Sequence, residues 1–221
     1  MDKRRLFLAL GVDETRAEEW AAAFREALVR CAGVHHAERL RFVPSGEWHL
    51  TLCFLGMTPA DRIADLAGAV LTRVAACRVP RVVELCGGVF PERGAARVLW
   101  FGPREAGEAV GRLEALATAA RDAVDHALPG SLPAGERSAS GFRAHLTGAR
   151  VRRGERGPSR EALRAFAGEH LACDWQPAEV RLYESRTGGS GPRYTVLERF
   201  PVGTTPDADQ KSPGPQGPAA G

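Results

Sequence analysis

The sequence has no apolar stretch long enough to cross a membrane. A transmembrane helix needs about 20 predominantly apolar residues, whereas the first apolar run ends at Val12 and no later run is longer. That first run follows the charged start Met1–Arg5 but is also too short for a secretory signal. These absences argue against an integral membrane protein, and we expect no membrane partner.

Cysteine is scarce and lacks the spacing of a disulfide framework or a zinc knuckle. The five cysteines are odd in number and contain no Cys-x-x-Cys pair. Their use predicts a reducing, cytoplasmic compartment, and each cysteine is expected to be a small buried hydrophobic residue. No His-x-x-x-His pattern typical of a metal-binding helix occurs either, so we expect no metal and no cofactor.

The sequence also lacks a large excess of either charge: 30 Lys and Arg residues against 27 Asp and Glu residues give a formal net charge of +3 and a sequence pI of about 8.8. This balance is compatible with an anionic ligand but does not require one. The length of 221 residues and 44% hydrophobic content suit one domain or two small lobes. We expect a single bilobal domain over residues 1–202 and a disordered tail rich in Pro and Gly over residues 203–221.

Hydrophobic periodicity predicts the order of strands and helices. The expected helices run from about Asp13 to Cys31, Pro59 to Cys77 (Leu71 inward), Arg104 to Ala127 (Val110 inward) and Ser159 to Gly168. The expected strands are Leu6–Leu10, Leu40–Val43, Trp48–Gly56, Val82–Leu85, Arg97–Phe101, Phe142–Arg150, Val180–Ser185 and Tyr194–Phe200. Strands that follow one another favour antiparallel pairing. The predicted class is α+β: a duplicated two-lobed fold with antiparallel sheets lining a central cleft and helices packed on the outside.

The strongest functional signal is a His-Leu-Thr sequence that occurs twice, at His49–Thr51 and at His145–Thr147. Because side chains alternate along a strand, the histidine and threonine of each copy share one face. Leu50, Leu52 and Phe54 are then expected on the opposite, apolar face of the first strand, packed on helices. We interpret the two polar pairs as facing walls of one site.

These residue types suit the hydrolysis of a phosphodiester. Histidine titrates near pH 6.5, so one imidazole can accept a proton from water while the other donates one to the leaving oxygen. Threonine hydroxyls and an arginine can stabilise the charge that grows on the phosphate oxygens.

The two motifs resemble those of the 2H phosphoesterase superfamily, and in particular the bacterial RNA 2′,3′-cyclic phosphodiesterases, which are also called 2′-5′ RNA ligase-like proteins. The resemblance extends from about Arg5 to Val202. It implies a metal-independent reaction in which water opens a 2′,3′-cyclic phosphate to a 2′-phosphate. The implied partners are RNA or nucleotides with 2′,3′-cyclic phosphate ends, and no obligate protein partner is evident.

Residue roles follow from the resemblance by motif. His49 would protonate the departing 3′ oxygen and His145 would activate water, while Thr51, Thr147 and Arg150 would hold the phosphate. Strict alternation places Arg150 opposite His145, so a bulge or strand end must turn it inward. Phe42 and Trp48 are candidates for stacking a base beside the site, and core packing is the alternative.

Two residues depart from the family pattern: Ala144 replaces the usual proline, and Gly148 replaces an apolar residue. Glycine inside a strand often marks a bulge. Because of these two departures, a non-catalytic protein that binds RNA ends is one alternative function. A 2′-5′ RNA ligase working in the reverse direction is the other alternative.

Overall fold

The computed structural model describes residues 2–136, 142–188 and 191–203. The predicted disordered tail therefore lies, from residue 204 onward, outside the described residues. The sequence also predicts a loop over 129–141 and a turn within 188–192, which are rich in Pro, Gly and Ser, and part of each lies outside the described residues.

Nine strands and five helices of four or more residues form the described part of the chain. The strands are β1 (Lys3–Gly11), β2 (Leu40–Phe42), β3 (His49–Pro59), β4 (Val82–Phe90), β5 (Val98–Glu105), β6 (Leu146–Val151), β7 (His170–Trp175), β8 (Glu179–Gly188) and β9 (Gly191–Pro201). The helices are α1 (Glu14–Ala32), α2 (Val34–Glu38), α3 (Ile63–Ala75), α4 (Arg112–Ala127) and α5 (Arg160–Ala167). No helix in these ranges is both long and apolar enough to cross a membrane.

All nine strands belong to one antiparallel sheet in the order β7-β4-β5-β6-β3-β1-β8-β9, with β2 paired to β6. The strands divide into two halves that meet where β6 lies beside β3. Among the described residues, β3 and β6 share a single cross-strand residue pair, Leu50–Leu146, so few backbone contacts join the two halves of the sheet. Helices α1 and α5 pack together in one half, and α3 and α4 pack together in the other. The predicted α+β class with outer helices is confirmed.

Alternation along β1 separates the two faces of the sheet. Leu6, Leu8 and Leu10 enter the main hydrophobic core, which the helices cover. Phe7 and Ala9 point the other way and pack with Tyr183 in a second, smaller cluster. The face with the second cluster carries the residues of the candidate site, and we call it the cleft face.

Several predicted boundaries differ from the structure. Strand β5 continues to Glu105 and α4 begins only at Arg112, because the Glu105 carboxylate accepts hydrogen bonds from the backbone N–H groups of Gly111 and Leu113. Val110 consequently lies before the helix and is 69% exposed, so its predicted inward position was wrong. The predicted inward position of Leu71 was also wrong, since this residue is 46% exposed on α3. Strand β7 was not predicted.

Candidate active site

The two His-Leu-Thr sequences lie side by side on β3 and β6. Leu50 and Leu146 are paired across the strands and fully buried in the core, so the flanking histidines and threonines point to the cleft face. Since the strands are antiparallel, His49 lies on the side of Thr147 and Thr51 on the side of His145. Diagonal neighbours in such a pair are separated by about 7–8 Å, which leaves room for one phosphate between the histidines.

Both imidazoles are held by the same local hydrogen bond. Nδ1 of His49 is 2.7 Å from the carbonyl oxygen of Glu47, and Nδ1 of His145 is 2.8 Å from that of Arg143. A carbonyl oxygen can only accept, so Nδ1 carries the proton in both rings. Nε2 is therefore the nitrogen that accepts or donates a proton to a ligand.

A bulge at Gly148 determines where Arg150 points. Strand β5 pairs Leu99 with Ala149 and Trp100 with Thr147, which leaves Gly148 as an extra residue in β6. The extra residue shifts the alternation, so Ala149 is buried and Arg150 shares the face of His145. The positive charge of Arg150 acts on both histidines, which places all three residues around one site.

The first motif has a bulge at the equivalent position. Strand β1 pairs Leu8 with Cys53 and Ala9 with Thr51, so Leu52 is the extra residue. Phe54 is thereby turned to the cleft face, where it is 45% exposed and its ring centroid lies 6.0 Å from that of Phe7. The prediction that Phe54 packs on the helices was wrong, because strict alternation was assumed across a bulge.

The surroundings of the two histidines keep them uncharged in the free protein. Burial lowers the pKa of His49 to about 4, and the nearby positive charges of His145 and Arg150 act in the same direction. Burial also lowers the pKa of His145, with Arg150 and Arg143 adding to the effect. Both rings are therefore mainly neutral at pH 7, and an anionic ligand between them would raise the pKa of each.

Aromatic side chains surround both histidines. The ring centroid of His49 lies 5.0 Å from Phe7, 5.1 Å from Tyr194 and 5.8 Å from Tyr183. The ring of His145 meets Phe90 edge-on at 5.2 Å and lies 6.1 Å from Trp100. These contacts fix the ring orientations and exclude water from one side of each imidazole.

The structure does not support a base-stacking role for Phe42 or Trp48. Trp48 is 3% exposed, packs against Phe24 and Phe101, and donates its indole N–H to the carbonyl of Val43. The guanidinium of Arg25 lies over the Phe42 ring at 3.8 Å. Core packing, the alternative expected from the sequence, accounts for Trp48, and Arg25 covers one face of the Phe42 ring.

Sequence reasoning missed several residues of the site. Phe7 was read as part of a continuous buried run, although its spacing from Ala9 was a signal for a second face. Tyr183 and Tyr194 lie within predicted strands, but the sequence gives no sign that they contact His49. Trp100 carried no signal, because the strand register that brings it to His145 is not visible in the sequence.

A bilobal antiparallel sheet with one His-x-Thr strand from each half, side by side on one face, defines the 2H phosphoesterase class. No family model matches the chain, but curated relatives do. They are the RNA 2′,3′-cyclic phosphodiesterases of Thermus thermophilus (30% identity, 89% of each chain) and Archaeoglobus fulgidus (29%, covering 89% of this chain and 99% of the relative). The chain belongs to the RNA 2′,3′-cyclic phosphodiesterase family.

Other comparisons agree with this placement. The RNA 2′,3′-cyclic phosphodiesterase of Geobacillus stearothermophilus is 32% identical, and the match spans 75% of this chain and 49% of that protein's length. The crystal structure of TT0787 of Thermus thermophilus aligns with a TM-score of 0.68 at 28% identity, covering 90% of this chain and 98% of that one. E. coli LigT complexed with ATP shares the fold, with a TM-score of 0.56, 22% identity and coverage of 91% and 99%.

Proposed function

We propose that the protein hydrolyses RNA 2′,3′-cyclic phosphate ends to 2′-phosphates by two-histidine acid–base catalysis without a metal ion. The observation that carries the proposal is the common face of His49, Thr51, His145 and Thr147 beside the bulge that presents Arg150. The relatives named above are RNA 2′,3′-cyclic phosphodiesterases, which supports the same substrate class.

In the proposed reaction one imidazole accepts a proton from water through Nε2 while the water oxygen attacks phosphorus. The bond from phosphorus to the 3′ oxygen breaks, and the second imidazole donates its Nε2 proton to that oxygen. The phosphate remains on the 2′ oxygen, so atoms and charge balance. Two positioned proton transfers contribute typically about two to four decades of rate each.

The division of roles follows the family resemblance, with His49 as the acid and His145 as the base. An acid must carry a proton at the start, yet His49 is neutral in the free protein because burial lowers its pKa. The anionic phosphate must therefore restore the proton when it binds, since an opposite charge within about 4–6 Å favours the charged form. Protonation of His49 is thus coupled to substrate binding.

The charges around the cleft suit an anionic substrate. Arg150, Arg41 and Arg5 all lower the pKa of Tyr194, against the effect of its burial, and the charges of Arg41 and Arg193 also act on Glu47. Several guanidinium groups therefore lie near the histidines. Their positive potential would attract the phosphates of an RNA end and stabilise charge on the phosphorus oxygens.

The experiment offers a nucleoside 2′,3′-cyclic phosphate to the full chain in EDTA and separates the products. We expect turnover to the nucleoside 2′-phosphate alone, unchanged by EDTA. H49A and H145A should each remove most activity, whereas the matched control H126A, at the exposed end of α4, should not. Turnover abolished by EDTA, or a folded H49A/H145A protein with full activity, would refute the mechanism.

Two alternatives give other outcomes. Binding of the cyclic phosphate without hydrolysis would indicate an RNA-end binding protein. Gly148 is one of the two residues that suggested this alternative, but the bulge and the close approach of Phe24 explain the glycine. Joining of RNA halves with 2′-phosphate and 5′-hydroxyl ends would indicate a 2′-5′ ligase.

A further inference from the structure

Three side chains with metal-binding atoms meet on the outer strands β4 and β7. Glu84 and Cys86 are two residues apart on β4, and His170 on β7 is the direct cross-strand partner of Cys86. Nδ1 of His170 lies 3.4 Å from Sγ of Cys86 and 3.3 Å from Oε2 of Glu84. The remaining distance, from Sγ of Cys86 to Oε2 of Glu84, is 3.5 Å. The three donor atoms thus form a nearly equilateral triangle.

The triangle has the dimensions of one face of a tetrahedral zinc site. Zinc binds thiolate sulfur at about 2.3 Å, imidazole nitrogen at about 2.0–2.1 Å and carboxylate oxygen at about 2.0–2.2 Å. At the tetrahedral angle these bonds separate sulfur from nitrogen by about 3.6 Å, sulfur from oxygen by about 3.6 Å and nitrogen from oxygen by about 3.4 Å. The observed distances agree with all three separations. We propose that Glu84, Cys86 and His170 bind a Zn²⁺ ion, with water as the fourth ligand.

The donor set favours zinc over harder cations. Thiolate and imidazole ligands suit Zn²⁺, whereas Mg²⁺ and Ca²⁺ prefer oxygen donors alone. Among the residues that the structure describes, this is the one group of three or more His, Cys, Asp and Glu side chains whose ligand atoms lie within 4.8 Å of one another. Cys86 must lose its proton to bind, and the Cys86 thiolate and Glu84 carboxylate would then balance the charge of the ion.

A fourth side chain orients the carboxylate ligand. Nε of Arg104, on the neighbouring strand β5, donates a hydrogen bond of 2.6 Å to Oε2 of Glu84. This hydrogen bond also lowers the pKa of the Glu84 carboxyl group. Carboxylate ligands of metal sites are commonly held by such outer hydrogen bonds.

The zinc site lies on the cleft face but away from the catalytic histidines. The ring of Trp100 contacts His145 and also covers the position that a Cβ of Gly102 would occupy. Gly102 is the cross-strand partner of Cys86, so Cys86 lies on the same face of the sheet as His145. Strands β5 and β4 separate β6 from β7, so the two sites are about 10–14 Å apart at roughly 4.8 Å per strand. The ion would join the edge strand β7 to β4 and stabilise the sheet without entering the reaction.

The test measures binding of Zn²⁺ alone to the full chain, after chelator treatment and dialysis in a thiol-free reductant. We expect one Zn²⁺ per chain by calorimetry, a rise in melting temperature with zinc, and a thiolate-to-metal charge-transfer band when Co²⁺ replaces Zn²⁺. C86S should remove the band, and E84Q and H170A should each weaken binding at least tenfold. His170 is exposed, so H170A should fold, which circular dichroism checks.

The matched control is C77S, because Cys77 is similarly half-buried but donates to the carbonyl of Arg73 and, among the residues that the structure describes, forms no hydrogen bond with a histidine or carboxylate. C77S should bind zinc like the natural sequence. Zinc binding that survives C86S and H170A together would place the ion elsewhere. If the protein binds no zinc at micromolar concentrations, the proposal is wrong and the three side chains are only a hydrogen-bonded group. Neither result bears on phosphodiesterase turnover in EDTA, so the two proposals fail separately.

Discussion

Acidification should destabilise the protein through His49. Burial lowers the pKa of this imidazole to about 4 in the folded protein, whereas an unfolded chain has a histidine pKa of about 6.5. Between these values the unfolded state binds a proton that the folded state does not, so the free energy of unfolding falls as the pH falls. Above about pH 7.5 the imidazole is neutral in both states and His49 contributes no pH dependence.

The magnitude follows from the pKa difference of about 2.5 units, each worth about 1.4 kcal/mol. The full loss of about 3.4 kcal/mol is reached only below pH 4, and about 2.5 kcal/mol of it is reached by pH 4.5. Because the ring is only partly buried, solvent screening reduces the expected loss between pH 7 and pH 4.5 to about 2 kcal/mol.

The assay compares the natural sequence with H49Q by urea unfolding at pH 7 and pH 4.5. Glutamine keeps a donor for the carbonyl of Glu47 but does not titrate. Other groups that titrate in this window, such as Glu105 and Glu136, whose pKa values burial raises, are the same in both proteins and cancel. H49Q should therefore gain about 2 kcal/mol relative to the natural sequence on acidification. An equal loss in both proteins would show that His49 is well solvated and that the reasoning is wrong.

Three further outcomes are expected. H49A and H145A should each lower kcat by about 10²–10⁴-fold, and the double variant should lose little more, because the pair acts as a unit. R150K should lower kcat/KM about 10–100-fold, since lysine cannot form the two parallel hydrogen bonds by which an arginine can bind a phosphate. G148A should cost about 1–3 kcal/mol in urea unfolding, because a Cβ there would overlap the buried ring of Phe24.

Each of these changes has a control in the same chain. Gly46 has open space around its Cβ position, so G46A should change stability by less than about 0.5 kcal/mol. Arg39 forms an ion pair with Glu155, and R39K should leave kcat/KM unchanged. If the loss of kcat in the double histidine variant equals the product of the two single losses, the two rings work independently. Full activity in R150K would show that Arg150 does not bind the phosphate.

The sequence predicted the parts of the fold that depend on local periodicity. Phe24 and Leu28 recur at helical spacing and are buried on α1, and Gly33 ends that helix with a positive φ of 80°. Boundaries were missed where a distant group decides them, as when the Glu105 carboxylate caps the start of α4. Strand β7 was missed because its pairing with β4, rather than its own pattern, makes it a strand.

The candidate site shows the same division between local and tertiary information. The repeated His-Leu-Thr sequence was enough to predict that both histidines and both threonines share one face, because alternation holds over so short a distance. The contacts of Tyr183 and Trp100 with the imidazoles depend on strand order, which the sequence does not contain. Cys86 and His170, which meet across two strands, could not be paired from spacing either.

The two bulges explain how a duplicated scaffold gives an asymmetric site. Leu52 and Gly148 each lie three positions after a motif histidine, and each is the extra residue of its strand. The shift brings the residue five positions after each histidine onto the cleft face, which presents Phe54 in one motif and Arg150 in the other. One wall therefore offers an apolar ring and the other a fixed positive charge. Because only one wall carries this arginine, the two histidines have different surroundings, and the acid and base roles proposed for them can follow from that difference.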